Sequence, residues 1–255
     1  MRLVVLASGG PPTDILVNYL EDAGLSPLAV LIEPAQSRRA LLRGRARRLG
    51  WRAVVGQLLF MALVLPPLRR RAGARLAAIR SAHGLRADPL PADRMIEIAS
   101  VNAPETRTLL QRLAPQAVVL SGTRIVKPEV LQAAGVPVLN IHAGITPEFR
   151  GVHGGYWALW SGRPQDFGAT LHLVDPGVDT GAVLAHLRPA PAPEDSFVTY
   201  PLLQLAAALP ALVAVLQGLG TGQGLPEPVT TAGAGRQWYH PTLGQYLAGR
   251  QRGVR

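Results

Sequence analysis

Cysteine is absent from the 255 residues, which excludes disulfides and thiolate metal sites and leaves nothing to argue for export. Lysine is nearly absent: Lys127 is the single one, so the other basic residues are all arginine. The opening MRLVVLASGG carries no basic leader, and its apolar run reaches only from Leu3 to Ala7, which predicts a strand rather than a signal peptide. The apolar run Val54 to Leu68 falls short of the roughly 20 residues that a bilayer-spanning helix needs. Neither a complete dinucleotide fingerprint nor a P-loop is present, and no internal repeat or composition break demands a second domain.

What is there describes a globular chain: 48% hydrophobic and 16% charged residues leave little room for extended disorder. The length fits one domain, or one domain with an appendage. A net charge of +10 either reflects codon composition or favours anionic partners such as a nucleotide, a phosphorylated sugar, RNA or an acidic membrane.

In chain order, Leu3 to Ala7 reads as a strand, Ser8-Gly9-Gly10 as a tight turn, and Ile15, Leu16, Tyr19 and Leu20 as the apolar face of a helix capped by Thr13 or Asp14. Backbone N–H groups at that helix start make Ser8, Gly9 and Gly10 candidates for holding a phosphate. Pro27 to Ile32 reads as a second strand. An insertion of about residues 36–80 follows, in which Arg38, Arg39, Arg43, Arg45, Arg47, Arg48 and Arg52 precede an apolar run that Pro66-Pro67 ends and further arginines close. Two readings of it stand open: helices packed on the body, or an arginine-flanked apolar face resting on an acidic membrane or a partner. Ala82 to Pro91 predicts a short strand and loop, Asn102 a helix cap, and Ala117 to Leu120 and Val136 to Ile141 buried strands. Alternating strands and helices predict an α/β fold with a mostly parallel sheet, whose ligand rim would gather Ser8-Gly9, Ser121-Gly122 and Asn140 to His142. Ala182 to Leu187 adds a strand, Asp195 or Ser196 would begin a leucine-rich helix packed on the sheet, and Trp238-Tyr239-His240 in the tail either covers a pocket or simply packs.

The chemistry gathers between Asn140 and Gly181. Residues two apart on a strand share a face, so Asn140 and His142 can enter one cleft. An amide N–H suits an oxyanion and an imidazole can handle a proton, while Asp179, in a loop made permissive by Gly177 and Gly181, can orient that imidazole. The trio suits acyl transfer to an amine without a serine or cysteine nucleophile. His172 reads either as a strand residue or as part of the site, and Arg150 and His153 lie in a loop beside the expected cleft.

The ordered segments LNIHAGITPEFRG and GATLHLVDPGVDTG resemble the formyltransferase family, which includes glycinamide ribonucleotide transformylase, methionyl-tRNA formyltransferase and sugar N-formyltransferases. The resemblance runs from about Asn102 to Leu187. It implies a Rossmann-like formyltransferase fold with the helical arginine-rich insertion added, Asn140, His142 and Asp179 as catalytic residues, and 10-formyltetrahydrofolate as the formyl donor. The donor is expected at Leu120, Ser121, Gly122, Thr123, Ile125, Val174, Asp175 and Val178, and the acceptor at Ser8, Gly9, Gly10, Arg150, His153 and Tyr156. No metal is expected. Where the family has Pro-Ser-Leu-Leu-Pro after the histidine, this chain has Ala143-Gly144-Ile145-Thr146-Pro147.

The expectation is a cytoplasmic N-formyltransferase acting on a small amine, an amino sugar nucleotide or related phosphorylated amine; peripheral membrane contact through the insertion is one of the two open readings of that segment. The tail after Gly218 is too short for the extra barrel of the methionyl-tRNA enzymes, so neither tRNA nor DNA is expected as partner. A catalytic domain of residues 1–217 with a packed tail of 218–255 is the expected organisation. Alternatives are a formyltetrahydrofolate hydrolase and a non-catalytic folate-binding or docking protein.

Overall fold

The computed structural model describes residues 1–233 and 235–255, the side chains of Arg38 and Ala40 excepted. Strand β1 (Leu3–Ala7) is buried throughout because it has neighbours on every side. Strands β2 (Ala29–Ile32) and β4 (Ala117–Ser121) pair with it in parallel, β3 (Met95–Glu97) adds to β2 and β5 (Val138–His142) adds to β4. Two antiparallel strands, β7 (Ala169–Leu173) and β8 (Val183–Leu187), complete a seven-stranded sheet of order β3-β2-β1-β4-β5-β7-β8. A second, two-stranded parallel sheet joins β6 (Phe149–Gly151) to β9 (Arg236–Trp238).

Alternation along β1 sorts the core into two layers. Leu3 and Val5 pack with Leu16 and Leu20 of α1 (Pro11–Asp22) and with Leu209, Leu212 and Leu216 of α8 (Tyr200–Gly220). Val4 and Leu6 pack on the opposite face with Leu110 of α5 (Pro104–Leu113) and Val130 of α6 (Pro128–Ala134). Burial on both faces is why these strands read as continuous apolar runs, and the sheet is the mostly parallel, Rossmann-like one the alternation predicts. By length and composition α8 is the one described helix able to cross a membrane, yet its leucines lie in this core.

Several local expectations are corrected. Helix α1 is capped by Gly10 at φ 84°, a backbone angle that favours glycine, with Pro11 and Pro12 in its first turn, rather than by Thr13 or Asp14. Ala82 to Pro91 contains no strand; β3 lies after it. Asn102 does not cap α5, whose cap is Ala103; its side chain bonds Ile125 O at 2.9 Å and Lys127 N at 2.8 Å instead, fixing a loop at the sheet's rim. Asp195 lies ahead of α8 and binds Arg75 through both oxygens, at 2.9 and 2.8 Å.

The insertion forms three helices, α2 (Arg38–Leu49), α3 (Trp51–Leu63) and α4 (Leu65–Ala82). Pro66 and Pro67 do not end a helix but open α4, where their missing N–H groups cost nothing, and α3 and α4 meet at 49°. Val54, Phe60 and Ile79 face the body. Gln57 donates to His240 O at 2.8 Å, and Gly56 abuts Thr242 so closely that an added Cβ would sit 2.9 Å from that residue's Cβ. Thr242 in turn caps α9 (Leu243–Gln251) with a capping box completed by Gln245.

Candidate active site

Asn140 and His142 point from the end of β5 into a cleft of about 760 Å³. The carboxylate arrives by an unforeseen route. Because β7 runs antiparallel to β5, with Leu139 opposite Leu173 and His142 opposite Thr170, the end of β7 lies away from His142. The 174–181 loop therefore turns back along the sheet to bring Asp179 to the cleft. Asp175 Oδ1 ties that turn by accepting from Gly177 N at 3.0 Å and Thr180 Oγ1 at 2.7 Å. The left-handed residue of the loop is Asp179 itself, at φ 51°. Gly181 is required for space rather than for φ, since a Cβ there would overlap Leu173 O.

Asp179 Oδ2 accepts from Gly151 N at 2.8 Å and lies 3.3 Å from His142 Nδ1, while its Oδ1 lies 3.7 Å from His172 Nε2. His142 Nε2 donates to Phe149 O at 2.7 Å. His172 Nδ1 donates to Leu173 O at 2.7 Å, which leaves Nε2 to accept from Asn140 Nδ2 at 3.1 Å. Burial holds the His172 imidazole below its ordinary pKa, in keeping with that neutral tautomer. An amide donor, an imidazole and a carboxylate are thus linked at one head of the cleft, able to meet charge on an oxygen and to move a proton.

One wall of the cleft carries Leu120, Gly122, Thr123 and Ile125, and the loop opposite carries Val174, Asp175 and Val178. Glu33, buried just beyond β2, holds the first of these by accepting from Arg124 N at 2.8 Å and Val101 N at 3.0 Å. The sequence offered no signal for it beyond an acidic residue ending a strand. Ile125 is 53% exposed, an apolar surface open to a flat ring.

The remaining candidates divide. Ser121 lines a separate hollow of about 150 Å³ on the adjoining rim, with Pro12 and Leu16. Ser8 N bonds Ser121 O at 3.1 Å, so the turn and rim converge, yet Ser8, Gly9 and Gly10 do not line the large cleft. Arg150 lies on β6 opposite Gln237 and is also outside the lining. Tyr156 is buried in an aromatic cluster, its ring centroid 5.1 Å from Phe197 and 5.3 Å from Trp157. His153 lies behind the wall, its Nε2 3.0 Å from His240 Nδ1 and its ring 4.3 Å from Phe197. Burial pushes His153 down to about 3 and His240 to about 4, with each other's proximity and Arg45 adding to the effect on His153 and Arg45 to that on His240.

His240, with Gln237, Trp238 and Tyr239, faces the cleft, so the tail's aromatic cluster does cover a pocket. The insertion supplies the wall beside it through Leu41, Gly44, Arg45 and Arg48. A run of arginines had given no sign of which would point inward.

Residues 78–207 match the formyl transferase family model, more than half the chain and all of the Asn140–His142–Asp179 constellation. The chain belongs to the formyl transferase family. Among curated relatives it is 34% identical over 143 residues to the methionyl-tRNA formyltransferase of Synechococcus sp. (strain JA-3-3Ab), covering 55% of this chain and 42% of that one. It is 33% identical over 129 residues to that of Pelotomaculum thermopropionicum, covering 47% and 40%. The matched segment therefore spans about two-fifths of these relatives' length. A sugar N-formyltransferase from Shewanella sp FDAARGOS_354 superposes with a TM-score of 0.59 at 14% identity, over 99% of this chain and 87% of that one. Phosphoribosylglycinamide formyltransferase from Streptococcus pneumoniae TIGR4 does so with 0.53 at 21% identity, over 86% and 99%. The superposed structures share the Rossmann-like formyltransferase scaffold described above.

Proposed function

We propose that the protein transfers the formyl group of 10-formyltetrahydrofolate to the primary amine of a small phosphorylated acceptor, an amino sugar nucleotide or a related amine. The observation carrying this reading is the linked set of Asn140, His142, Asp179 and His172 at the head of a cleft of about 760 Å³. When bound, the donor supplies the formyl carbon and leaves as tetrahydrofolate. Asn140 and the His142 imidazole hold the charge that develops on the formyl oxygen as the amine–carbon bond forms. Asp179 takes the proton from the amine, directly or through water, and returns it to the folate nitrogen as the old carbon–nitrogen bond breaks. The apolar side chains of Leu120, Ile125, Val174 and Val178 suit a flat pterin on the donor side. The sugar N-formyltransferase likeness supports a small acceptor, although the curated relatives above are named for methionyl-tRNA. Residues 1–217 form the catalytic unit in this reading, and 218–255 complete its cleft.

The test is purified protein with 10-formyltetrahydrofolate and a panel of phosphorylated amino sugars, read by mass spectrometry for the N-formyl product. Formylation abolished in His142→Ala supports the reading. Folate turnover without any amine selects the hydrolase, formylation of charged tRNA alone selects the tRNA acceptor, and no turnover at all overturns an enzymatic role.

A second observation bears on location. Trp51, Val55, Leu58 and Leu59 form an exposed apolar stripe along α3 at helical spacing, with exposed Arg52, Arg69, Arg70 and Arg71 nearby in the chain. No acidic residue lies between Glu33 and Asp88. Such a face suits the surface of an anionic bilayer, while two copies of it would repel. Co-sedimentation with phosphatidylglycerol vesicles, lost in Trp51→Ser/Leu58→Ser and weakened by salt, is expected; equal binding to neutral vesicles, or dimerisation through this face without vesicle binding, would overturn it.

A further inference from the structure

We infer that Arg45 and Arg48 of the insertion form the anion subsite of the cleft and take the phosphoryl group of the acceptor, an assignment that rests on the amine entering this cleft. The cleft-lining face of α2 is defined by spacing: Leu41, Gly44, Arg45 and Arg48 fall at i, i+3, i+4 and i+7 and all line the cleft, Arg45 half-buried and Leu41 and Arg48 exposed, whereas the exposed Arg39, Arg43 and Arg47 lie outside it. Gly44, on the same face, leaves open space ahead of Arg45 and Arg48, since a Cβ added there would meet nothing within 4 Å.

Five arginines are neutralised within the protein: Arg75 by Asp195, Arg86 by Asp22, Arg94 by Glu21, Arg124 by Glu33 and Arg163 by Asp166. No carboxylate among the described residues pairs with Arg45 or Arg48, and their helix contains no acidic residue. Arg45 is partly withdrawn from water, which pulls its guanidinium below its ordinary pKa. What it faces electrostatically is the His153–His240 pair, two imidazoles that burial keeps neutral. A cation short of water and of a counter-charge is completed by an anionic ligand.

The wall that carries these arginines is fixed. Gln57 bonds His240 O, Gly56 packs on Thr242, and α2 runs directly into α3, so the insertion and the tail segment 237–242 meet as one surface. That surface lies outside residues 78–207, the span of the family model, whereas the walls assigned to the donor lie inside it. Two arginines one turn apart offer several donors to a group with several oxygens, which suits a phosphomonoester or diphosphate better than a lone carboxylate.

The experiment compares wild type with Arg45→Gln/Arg48→Gln, and with the outward-facing Arg43→Gln/Arg47→Gln, after thermal melts have established that each folds. Calorimetric titration with pyrophosphate is expected to show binding that weakens on the order of 10- to 100-fold in the inward variant and is unmoved in the outward one. In formyl transfer, KM for a phosphorylated amine should rise by a similar factor, with KM for 10-formyltetrahydrofolate and for the dephosphorylated amine unchanged. Equal losses in both variants, unaltered pyrophosphate binding in the inward variant, or a rise confined to the folate KM would overturn the inference. If no amine is formylated by wild type yet pyrophosphate binding depends on Arg45 and Arg48, the formyl-transfer reading fails and the subsite stands.

Discussion

Asn140 and His172 stand directly opposite each other across the β5–β7 ladder, and the amide of one donates to the imidazole of the other over 3.1 Å. The bond uses one of the two Asn140 N–H donors and fixes the amide plane, leaving the second N–H to meet a substrate oxygen. Replacing Asn140 by Ala is expected to lower kcat by roughly 10²–10³-fold, about 3 kcal/mol in the barrier, with the fold retained on thermal melting.

His172 acts through Asn140 and is a positioning residue. His172→Phe preserves the buried ring but removes the acceptor, so kcat should fall on the order of 10- to 100-fold while both KM values hold. His172→Gln, which can accept from the amide, should recover part of the loss. Equal losses in both variants, or a loss seen only in KM, would place His172 in packing or binding instead.

Asp179→Asn tests charge apart from shape. Asparagine tolerates φ 51° and can still accept from Gly151 N, so the loop should survive. The partner of the His142 imidazole and the acceptor of the amine's proton are both lost, and kcat should drop by about 10²–10⁴-fold with little change in melting temperature.

Gly144 stands where relatives of the resembled family carry serine, and here the space is taken. A Cβ at 144 would lie 2.7 Å from His142 Nε2 and 3.0 Å from Gly154 Cα. Gly144→Ser should therefore cost stability on the order of 1–3 kcal/mol in urea unfolding and displace the His142 ring, with activity falling too. A variant as stable and active as wild type would show that the ring and the neighbouring backbone yield freely.

Stability should fall on acidification below the ordinary histidine pKa of 6.5, because His153 and His240 are held neutral down to about 3 and about 4. The unfolded chain binds these protons first, so the contribution is complete above 6.5, is lost as pH falls towards 4, and levels off below the folded values. Melting temperature measured across that window should slope upward with pH, and His153→Gln should flatten the slope. A slope unchanged in that variant would assign the effect to other groups.

Much of the scaffold was legible because burial on both faces leaves a plain trace: β1, β4 and β5 are short apolar runs, and each stops at a polar residue on the rim. Strand direction leaves no such trace. Nothing in the composition of Ala169–Leu173 distinguishes antiparallel from parallel, so the return of the 174–181 loop that delivers Asp179 could be anticipated only from resemblance. Tyr156 illustrates a different limit: an aromatic residue beside an expected cleft reads alike whether it lines the cavity or fills the core beneath it, and tertiary packing decided for the core. Pro66-Pro67 reads equally as a helix stop or a helix start, since proline is tolerated at both. Arg45 and Arg48 were hidden among the other arginines of the insertion, and only the placement of α2 against residues 237–240 distinguishes them.

The contacts of Gln57 with His240 and of Gly56 with Thr242 have a consequence for redesign. Two stretches far apart in the chain meet as one wall: grafting the insertion of another family member without its matching tail would leave Gln57 and the His240 carbonyl without their counterparts. The tail is itself tied to the catalytic stretch, since β9 pairs with β6, whose Gly151 N bonds Asp179. A redesign of the insertion in this molecule therefore has to carry the tail with it and keep the β6–β9 pairing.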